Sequence, residues 1–344
     1  MIREAEVIPY ALPFREPYVT SRGKLDRREL ILLRLTDEDG VVGFGETTSL
    51  SLRGGPPLEE IVADLRRMQA MLEKAPAGGF HLSRELSTVE AGCALTMALM
   101  DIELRREPQP PPEPVTCNAT LSSGPPTEVA RAAEAWAGLG FTTFKLKVGS
   151  EHDVEQVTAV REAVGEHALI RIDANGSWSV DEATRILAEL EEGGIELCEQ
   201  PVSHVDEMAL VRAATEIPIA ADESVLNPAG ASRAQRVGAC DLVTLKLAKV
   251  GGPVAAEHWD WRLPVYISSA LEGPVGIAAA GRVAAAMDAA GTGAGIAHGL
   301  ATQLLFADTI AAAGPELVDG RLVLGEGPGL GVELDADALE RHRL

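Results

Sequence analysis

The run TTFKLK (142–147) is the first of five short apolar runs that each end in a charged residue, followed by ALIRID (168–173), IELCE (195–199), IPIAAD (217–222) and DLVTLK (241–246). A sixth run, PVYISS (264–269), continues the series, and the six runs end 26, 26, 23, 24 and 23 residues apart. This interval accommodates one strand, one helix and two short loops. The spacing therefore predicts alternating strands and helices, which build a parallel sheet.

Two further runs, VTCNATL (115–121) and AGIAH (294–298), bring the number of predicted strands to eight. Eight such units favour a closed α/β barrel over an open sheet. Helix signals lie between the runs: Ser179 can cap a helix over 180–192, which Gly193 and Gly194 would end. After Gly252 the predicted sixth helix is short or irregular.

The chain outside these repeats reads as a second, smaller unit. Residues 1–106 predict an α+β domain, with a hairpin at DEDG (37–40) and helices near 57–74 and 88–106. Residues 107–114 are rich in proline, which excludes a continuing helix and indicates a linker. We expect the barrel to span 115–314, and the extended segment 315–344 to pack back on the first domain.

The charged residues that close the runs should share one face, because the carboxyl ends of barrel strands form the active-site face. In chain order these residues are Lys147, Asp173, Glu199, Asp222 and Lys246. Strands two and six are opposite in a ring of eight, so the two amines flank an arc of three acids. The chain has 24 Arg and only six Lys, of which four lie in residues 145–147 and 246–249.

Three converging carboxylates require a cation, and an oxygen-only donor set favours Mg²⁺, with Mn²⁺ as the alternative. Such an ion stabilises the enediolate that forms when a proton leaves the carbon next to a carboxylate. A lysine is then the base, and we expect Lys145 to lower the pKa of Lys147. An acid at a strand end, taken alone, is more often an N-cap of the next helix, and Asp222 could be such a cap. Cys198 is expected to be a packed thiol.

Composition excludes several kinds of partner. The formal net charge is −22, which argues against nucleic acid and anionic membranes. Four cysteines without metal-binding spacing, a charged amino terminus and no long apolar run predict a cytoplasmic protein without disulfides. The expected partner is a small-molecule carboxylate substrate. The oligomeric state is left open, although barrels of this size commonly form homo-oligomers.

Five motifs together resemble the muconate-lactonizing subgroup of the enolase superfamily: FKLKVG (144–149), RIDANG (171–176), EQP (199–201), ADES (221–224) and LKLAKVGG (245–252). The resemblance extends to the tail GPGLG (327–331). It implies a (β/α)7β TIM-like barrel, capped by an N-terminal α+β domain that the C-terminal tail completes, with cap loops near 19–24 and 48–55 over the substrate.

The resemblance also implies roles for the strand-end residues. Asp173, Glu199 and Asp222 would bind Mg²⁺, and Lys147 and Lys246 would be the acid/base pair. Further candidates for contacting the substrate or supporting these residues are Lys145, Asn175, Glu223, Lys249, Ser268 and Ser269. His298, at the end of the eighth run, is not assigned a role.

Within the subgroup, ISSALE (267–272) and HGLATQLLFAD (298–308) are similar to actinobacterial o-succinylbenzoate synthases. These are lyases that dehydrate 2-succinyl-6-hydroxycyclohexadiene carboxylate through an enediolate in menaquinone biosynthesis. Dipeptide epimerases of the subgroup hold the substrate ammonium with an Asp-x-Asp pair after strand eight, whereas residues 299–304 contain no acid. The alternative is an isomerase: an N-acylamino acid racemase or a dipeptide epimerase.

Two interpretations from other functional classes, an aldolase and a binding protein, remain open. A Schiff-base aldolase would use Lys246 as nucleophile, but it leaves the three acids unexplained. A binding protein built on this barrel predicts the loss of at least one ligand or base, and none is missing.

Overall fold

A computed structural model describes residues 1–50, 54–74, 86–258 and 260–344. The chain begins with an antiparallel sheet of β1 (Ile2–Thr20), β2 (Gly23–Asp37) and β3 (Val42–Thr48), in that order. The predicted hairpin at 37–40 joins β2 to β3. It is fixed by the Asp37 side chain, whose Oδ1 accepts the N–H groups of Asp39 and Val41 at 2.9 Å each.

Two helices pack on this sheet, α1 (Leu58–Lys74) and α2 (Val89–Arg106), as predicted. Alternate residues of β2 share one face, so Ile31 and Leu33 lie fully buried in the cluster that α1 and α2 cover. The helix approaches so closely that a Cβ on Gly45 would lie 1.9 Å from the Ala94 carbonyl oxygen. A glycine is therefore required at this position.

The strand predicted over 115–121 divides into two pieces. β4 (Val115–Thr116) pairs antiparallel with a strand of the C-terminal tail, whereas β5 (Ala119–Leu121) enters the barrel sheet. Thr116 to Asn118 form the junction: the Thr116 carbonyl accepts the His298 N–H, and the Asn118 N–H donates to the His298 carbonyl. The chain changes sheets here because the tail provides a pairing partner that the local sequence does not reveal.

The barrel sheet is parallel and runs from β5 to β11 in chain order. Its remaining strands are β6 (Thr143–Lys147), β7 (Leu169–Asp173), β8 (Ile195–Glu199), β9 (Ile219–Ala221), β10 (Leu242–Leu245) and β11 (Val265–Ile267). The helices between and after them are α3 (Pro126–Ala137), α4 (Asp153–Val164), α5 (Val180–Leu190), α6 (Val205–Arg212), α7 (Pro228–Val237), α8 (Leu247–Val250), α9 (Pro253–His258) and α10 (Pro274–Ala290).

The eighth predicted strand is reduced to isolated bridges that nevertheless join both edges of the sheet. Gly293 and Gly299 bridge β11 and the residue after it, while His298 bridges Cys117 beside β5. The His298 side chain takes part, since its Nδ1 accepts the N–H of Ile267 at 3.0 Å and its Nε2 lies 3.2 Å from Asp288 Oδ1. Burial lowers the pKa of His298, which favours the neutral ring that this acceptor role needs.

Helix boundaries follow local chemistry. Ser179 caps α5, accepting the Glu182 N–H at 3.2 Å, and a short 3-10 helix at Glu191–Gly193 leads to Gly194 at φ +66°. The predicted start and stop of this helix are thereby confirmed. The predicted short sixth helix is also confirmed, because α8 has four residues and α9 has six.

The last thirty-odd residues contain β12 (Ala311–Ala313), β13 (Glu316–Val318), β14 (Arg321–Val323), β15 (Glu333–Leu334) and α11 (Ala336–His342). They contact the N-terminal sheet and helices directly: the Leu344 N–H donates to the Pro9 carbonyl at 3.0 Å, and the Leu330 N–H donates to Asp101 Oδ1 at 2.7 Å. Among the residues that the structure describes, no helix has the length and hydropathy of a membrane span.

Candidate active site

Five charged side chains meet at the carboxyl end of the barrel sheet, the mouth. Lys147, Asp173 and Glu199 are the last residues of β6, β7 and β8, and Asp222 and Lys246 directly follow β9 and β10. The parallel register places Lys147 beside Asp173, and Asp173 beside Glu199. The residues at the strand ends therefore follow one another around the mouth in the same order as in the sequence.

Two lysines of β6 contact the same carboxylate. The Nζ atoms of Lys145 and Lys147 lie 2.9 and 2.6 Å from Asp173 Oδ2, and all three side chains are buried. This arrangement follows from the two-residue period of a strand, which directs residues 145 and 147 to one face.

A second pair of lysines surrounds Asp222 on the opposite wall. Lys246 donates to Asp222 Oδ2, and Lys249 Nζ lies 2.9 Å from Oδ1. Lys249, in the short helix α8, also donates to the Thr244 carbonyl at 2.7 Å. The tight turn into α8 is what brings Lys249 back over the strand that precedes it.

Glu199 lies between these two walls and has unequal oxygens. Its Oε2 accepts hydrogen bonds from Lys145 Nζ at 2.6 Å and from the Tyr266 hydroxyl at 2.5 Å. Its Oε1 accepts no hydrogen bond from the residues described, and the Lys246 ammonium is 3.9 Å away. Among the described residues, Oε2 of this carboxylate therefore accepts two hydrogen bonds and Oε1 accepts none.

Burial and charge shift the pKa values in this cluster. Burial by itself would raise the pKa of Asp173, but the Lys145 and Lys147 ammonium groups hold it well below its usual range. Burial raises the pKa of Glu199, and the negative charge of Asp173 raises it further. Burial opposes charge on Lys145, yet Asp173 and Glu199 raise its pKa well above the ordinary value. These two carboxylates therefore favour the ammonium form of Lys145.

Asn175 and Glu223 support Lys147. Asn175 Oδ1 accepts from Lys147 Nζ at 3.0 Å, and its Nδ2 donates to Glu223 Oε1 at 3.0 Å. Asn175 has a φ of +49°, in the left-handed region that asparagine tolerates better than most residues. The Lys147 ammonium is consequently held by two acceptors, Asp173 and Asn175.

Ser268 and Ser269 follow β11 at the mouth and are buried. Ser269 Oγ donates to Glu272 Oε2 at 2.7 Å and accepts from Thr302 at 2.8 Å. The Ser268 N–H donates to the Leu245 carbonyl at 2.8 Å, which continues the sheet pairing with β10. Ser269 therefore stabilises its own loop.

Sequence reasoning missed Tyr266 and Arg171, which lie inside the barrel below the mouth. Both are fully buried, and the Arg171 Cζ stands 5.2 Å from the centre of the Tyr266 ring. The available signal was position: Arg171 lies two residues before Asp173, and Tyr266 two before Ser268, so both face the barrel interior.

Segments of the N-terminal domain close over the mouth. The Ser21 hydroxyl donates to the Ala174 carbonyl at 3.1 Å, and Arg22 Nε donates to the Asn175 carbonyl at 2.7 Å. Arg28 donates to the Ala270 carbonyl at 2.8 Å. The expected cap segment 19–24 thus contacts the mouth, whereas residues 51–53 of the second segment, 48–55, lie outside the described residues.

A small cavity of about 30 Å³ remains between cap and barrel. Its lining comes from both units: Tyr18, Thr20, Arg22, Arg28, Leu50, Asn175, Ala270 and Leu271. The two arginines give the cap side of this space a positive charge.

The donor set of the mouth suits a hard divalent cation. Asp173, Glu199 and Asp222 offer only oxygen atoms, all are fully buried, and the described part of the chain provides no hydrogen-bond donor to Glu199 Oε1. Across the described ranges no three acidic, histidine or cysteine side chains converge on one point. The reason is that ammonium groups bridge the acids: Lys145 joins Asp173 to Glu199, and Lys246 joins Glu199 to Asp222.

Comparison with known families matches both parts of the chain. Residues 2–111 match the mandelate racemase / muconate lactonizing enzyme N-terminal domain, and residues 128–338 match the enolase C-terminal domain-like family. Among curated relatives, muconate cycloisomerase 1 of Acinetobacter baylyi is 28% identical over an alignment of 374 positions, which covers 100% of this chain and 100% of that enzyme. The o-succinylbenzoate synthase of Thermobifida fusca is 41% identical over 187 residues, covering 52% of this chain and 58% of that enzyme.

Solved structures give the same architecture. An N-succinyl Arg/Lys racemase from Bacillus cereus superposes with a TM-score of 0.89 at 26% identity, covering 100% of this chain and 98% of the other. A dipeptide epimerase from Cytophaga hutchinsonii, complexed with Mg and the dipeptide D-Ala-L-Val, superposes with a TM-score of 0.88 at 27% identity, covering 99% and 98%.

Proposed function

The chain belongs to the mandelate racemase and muconate lactonizing enzyme group of the enolase superfamily, and from this membership we propose that it is an o-succinylbenzoate synthase. The protein is an enzyme, either a lyase or an isomerase such as an epimerase. The proposed reaction dehydrates 2-succinyl-6-hydroxycyclohexadiene carboxylate. One observation carries the enediolate chemistry of this proposal: two buried lysines, Lys147 and Lys246, stand at the ends of opposite strands with three buried carboxylates between them.

Asp173, Glu199 and Asp222 are the residues that would hold Mg²⁺ or Mn²⁺. The bound ion supplies positive charge next to the substrate carboxylate, where negative charge accumulates after proton removal. A neighbouring structure of the same architecture contains Mg, which supports this assignment. Glu199 Oε1, which accepts no hydrogen bond from any described residue, supports it independently.

Lys147 is the proposed base. It takes the proton from the carbon next to the substrate carboxylate, and the electron pair of that C–H bond remains on the substrate as an enediolate. The electron pair of the enediolate then forms a C=C bond as the C–O bond to the hydroxyl group breaks, and the ammonium of Lys147 returns the proton, so that hydroxide leaves as water. Asn175 and Asp173, which contact Lys147 Nζ, fix the side chain for both transfers.

Lys246 is the proposed electrostatic partner. From the opposite wall its ammonium stabilises the anionic intermediate without exchanging a proton with it. Lys145, whose pKa is raised well above the ordinary value by Asp173 and Glu199 against the effect of burial, contributes a second fixed charge.

The choice of substrate rests on two sequence observations. Residues 299–304, Gly-Leu-Ala-Thr-Gln-Leu, contain no acid that could pair with a substrate ammonium. The 41% identity to the Thermobifida fusca synthase over 187 residues also supports a substrate without a free amine.

The alternative is an isomerase that acts on N-acylamino acids or dipeptides. It is favoured by the superposition on the Bacillus cereus N-succinyl Arg/Lys racemase and on the Cytophaga hutchinsonii dipeptide epimerase. In this case Lys147 and Lys246 would act as two bases on opposite faces of the same carbon.

The proposal is tested by incubating the purified protein and Mg²⁺ with 2-succinyl-6-hydroxycyclohexadiene carboxylate and following the loss of the diene absorbance. EDTA should abolish turnover, and Lys147→Ala should lower kcat by about three orders of magnitude or more. Incorporation of deuterium from D2O into N-succinyl amino acids, followed in parallel, measures racemisation. Racemisation faster than dehydration would favour the alternative, and retained dehydration by Lys147→Ala would contradict the assigned role.

A further inference from the structure

A polar column runs down the inside of the barrel beneath Glu199, formed by Tyr266 and Arg171. We infer that Tyr266 is a positioning residue, which holds Oε2 of Glu199 so that Oε1 is directed to a bound divalent cation. The inference rests on the proposed function only insofar as that function requires the cation.

The Tyr266 hydroxyl has a complete set of partners. It donates to Glu199 Oε2 at 2.5 Å and accepts from Thr244 Oγ1 at 3.0 Å, and both tyrosine and threonine are fully buried. A phenol has one hydrogen to donate. Since Thr244 supplies the other contact, the hydrogen of Tyr266 is committed to Glu199.

The two oxygens of Glu199 differ as a positioning role requires. Oε2 receives two hydrogen bonds, from Tyr266 and Lys145, while Oε1 receives none from the described residues. Lys145 divides its ammonium between Glu199 and Asp173, 2.9 Å away, so Tyr266 is the donor that serves Glu199 alone. Rotation of the carboxylate would break both bonds to Oε2.

Arg171 fixes the ring of Tyr266 from below, with its guanidinium carbon 5.2 Å from the ring centre. The guanidinium is anchored in turn by Glu196, by Asn118 Oδ1 at 3.2 Å and by the Ala297 carbonyl at 2.7 Å. These partners come from β8, from the residue before β5 and from the segment that closes the barrel. The ring orientation is therefore set by several strands, and hydrogen-bonded partners of this kind orient metal ligands in proteins.

The experiment measures the binding of Mn²⁺ alone, without substrate, by isothermal titration calorimetry. For Tyr266→Phe we expect the Kd to rise about 10- to 100-fold. The matched control is Tyr10→Phe, because Tyr10 is also fully buried and its hydroxyl also donates to a buried glutamate, Glu46, outside the mouth. Tyr10→Phe should lose comparable thermal stability and keep the wild-type Kd within twofold.

A second variant covers the case in which Tyr266→Phe does not fold. Thr244→Val removes the hydrogen bond to the Tyr266 hydroxyl and keeps the phenol, and we expect a rise in Kd of about threefold. Wild-type affinity in Tyr266→Phe, or in Thr244→Val if only that variant folds, would overturn the inference, as would an equal loss in Tyr10→Phe. Absence of Mn²⁺ binding by the wild type would instead overturn the proposed function on which the inference rests.

Discussion

Lys246 is the residue whose proposed role differs between the lyase and the racemase. It contacts Asp222 and lies 3.9 Å from Glu199 Oε1, on the wall opposite Lys147. In the proposed dehydration it acts only through its charge, whereas in a racemase it must also give up and accept a proton. Arginine keeps the charge and cannot act as a base near neutral pH.

Lys246→Arg should therefore keep dehydration within about 100-fold of the wild type and lower racemisation of N-succinyl amino acids by about 10³-fold or more. Both rates are measured on one preparation, by diene absorbance and by deuterium incorporation. Lys147→Arg is the matched control and should lose both activities. Equal losses of both activities in Lys246→Arg would contradict the electrostatic role.

The strand-end residues were predictable individually, while their hydrogen bonds were not. The positions of Lys147, Asp173 and Glu199 followed from strand spacing and parallel register. The contact of Tyr266 with Glu199 depends on the inclination of a ring that Arg171 supports from another strand. Such a contact joins residues 67 positions apart, and no local pattern encodes it.

At the level of elements, Glu46 links β3 of the cap to the first turn of α10 in the barrel. Its carboxylate accepts the N–H groups of Gly273 at 2.9 Å and Gly276 at 2.5 Å, as well as the Tyr10 hydroxyl. The side chain thereby satisfies helix N–H groups that have no partner within the helix. Burial raises the pKa of Glu46 from 4.5 to about 7, against the hydrogen bonds that lower it.

This shift gives stability a defined dependence on pH. Because the folded protein holds the Glu46 proton more tightly than the unfolded chain, the free energy of unfolding falls as pH rises from about 4.5 to about 7. The contribution is on the order of 3 kcal/mol. Glu46→Gln should remove this part of the slope when urea unfolding is followed across the window. Glu29→Gln, at a partly exposed position on β2, is the control, and an unchanged slope in Glu46→Gln would contradict the assignment.

The elements that sequence predicted least well are those whose pairing partner is distant. Residues 294–298 were predicted as a strand and form only bridges, with the His298 ring supplying one acceptor to β11. Residues 115–121 were predicted as one strand and are divided by the pairing of β4 with β14, about 200 residues later. The periodicity of a segment indicates that it can form a strand, whereas the strand that it pairs with decides where it begins and ends.

At the scale of the whole molecule, the net charge is negative but positive side chains are concentrated at the mouth. The chain carries a net charge of −22, and yet four of its six lysines converge on the mouth. The proposed substrate is a dianion. The net negative charge outside the mouth would therefore repel it, whereas the lysines of the mouth would attract it. The repulsion acts over distances that salt screens, whereas the buried lysines are screened much less.

Raising the KCl concentration from 20 to 200 mM should therefore increase kcat/KM for the dicarboxylate about two- to fivefold, through KM, and leave kcat unchanged. Choline chloride at the same ionic strength is the control for specific effects of potassium. A fall in kcat/KM with salt would mean that the surface attracts the substrate.

The contacts that close the cap over the mouth have a consequence for amino-acid substitutions in the mouth. Ser21, Arg22 and Arg28 grip main-chain carbonyls, those of Ala174, Asn175 and Ala270. Every amino acid supplies a carbonyl, so the contacts of Ser21 and Arg28 do not depend on the side chains of Ala174 and Ala270. A substitution of Ala270, which lines the cavity between cap and barrel, can therefore change the shape of that cavity and leave the contact with Arg28 in place.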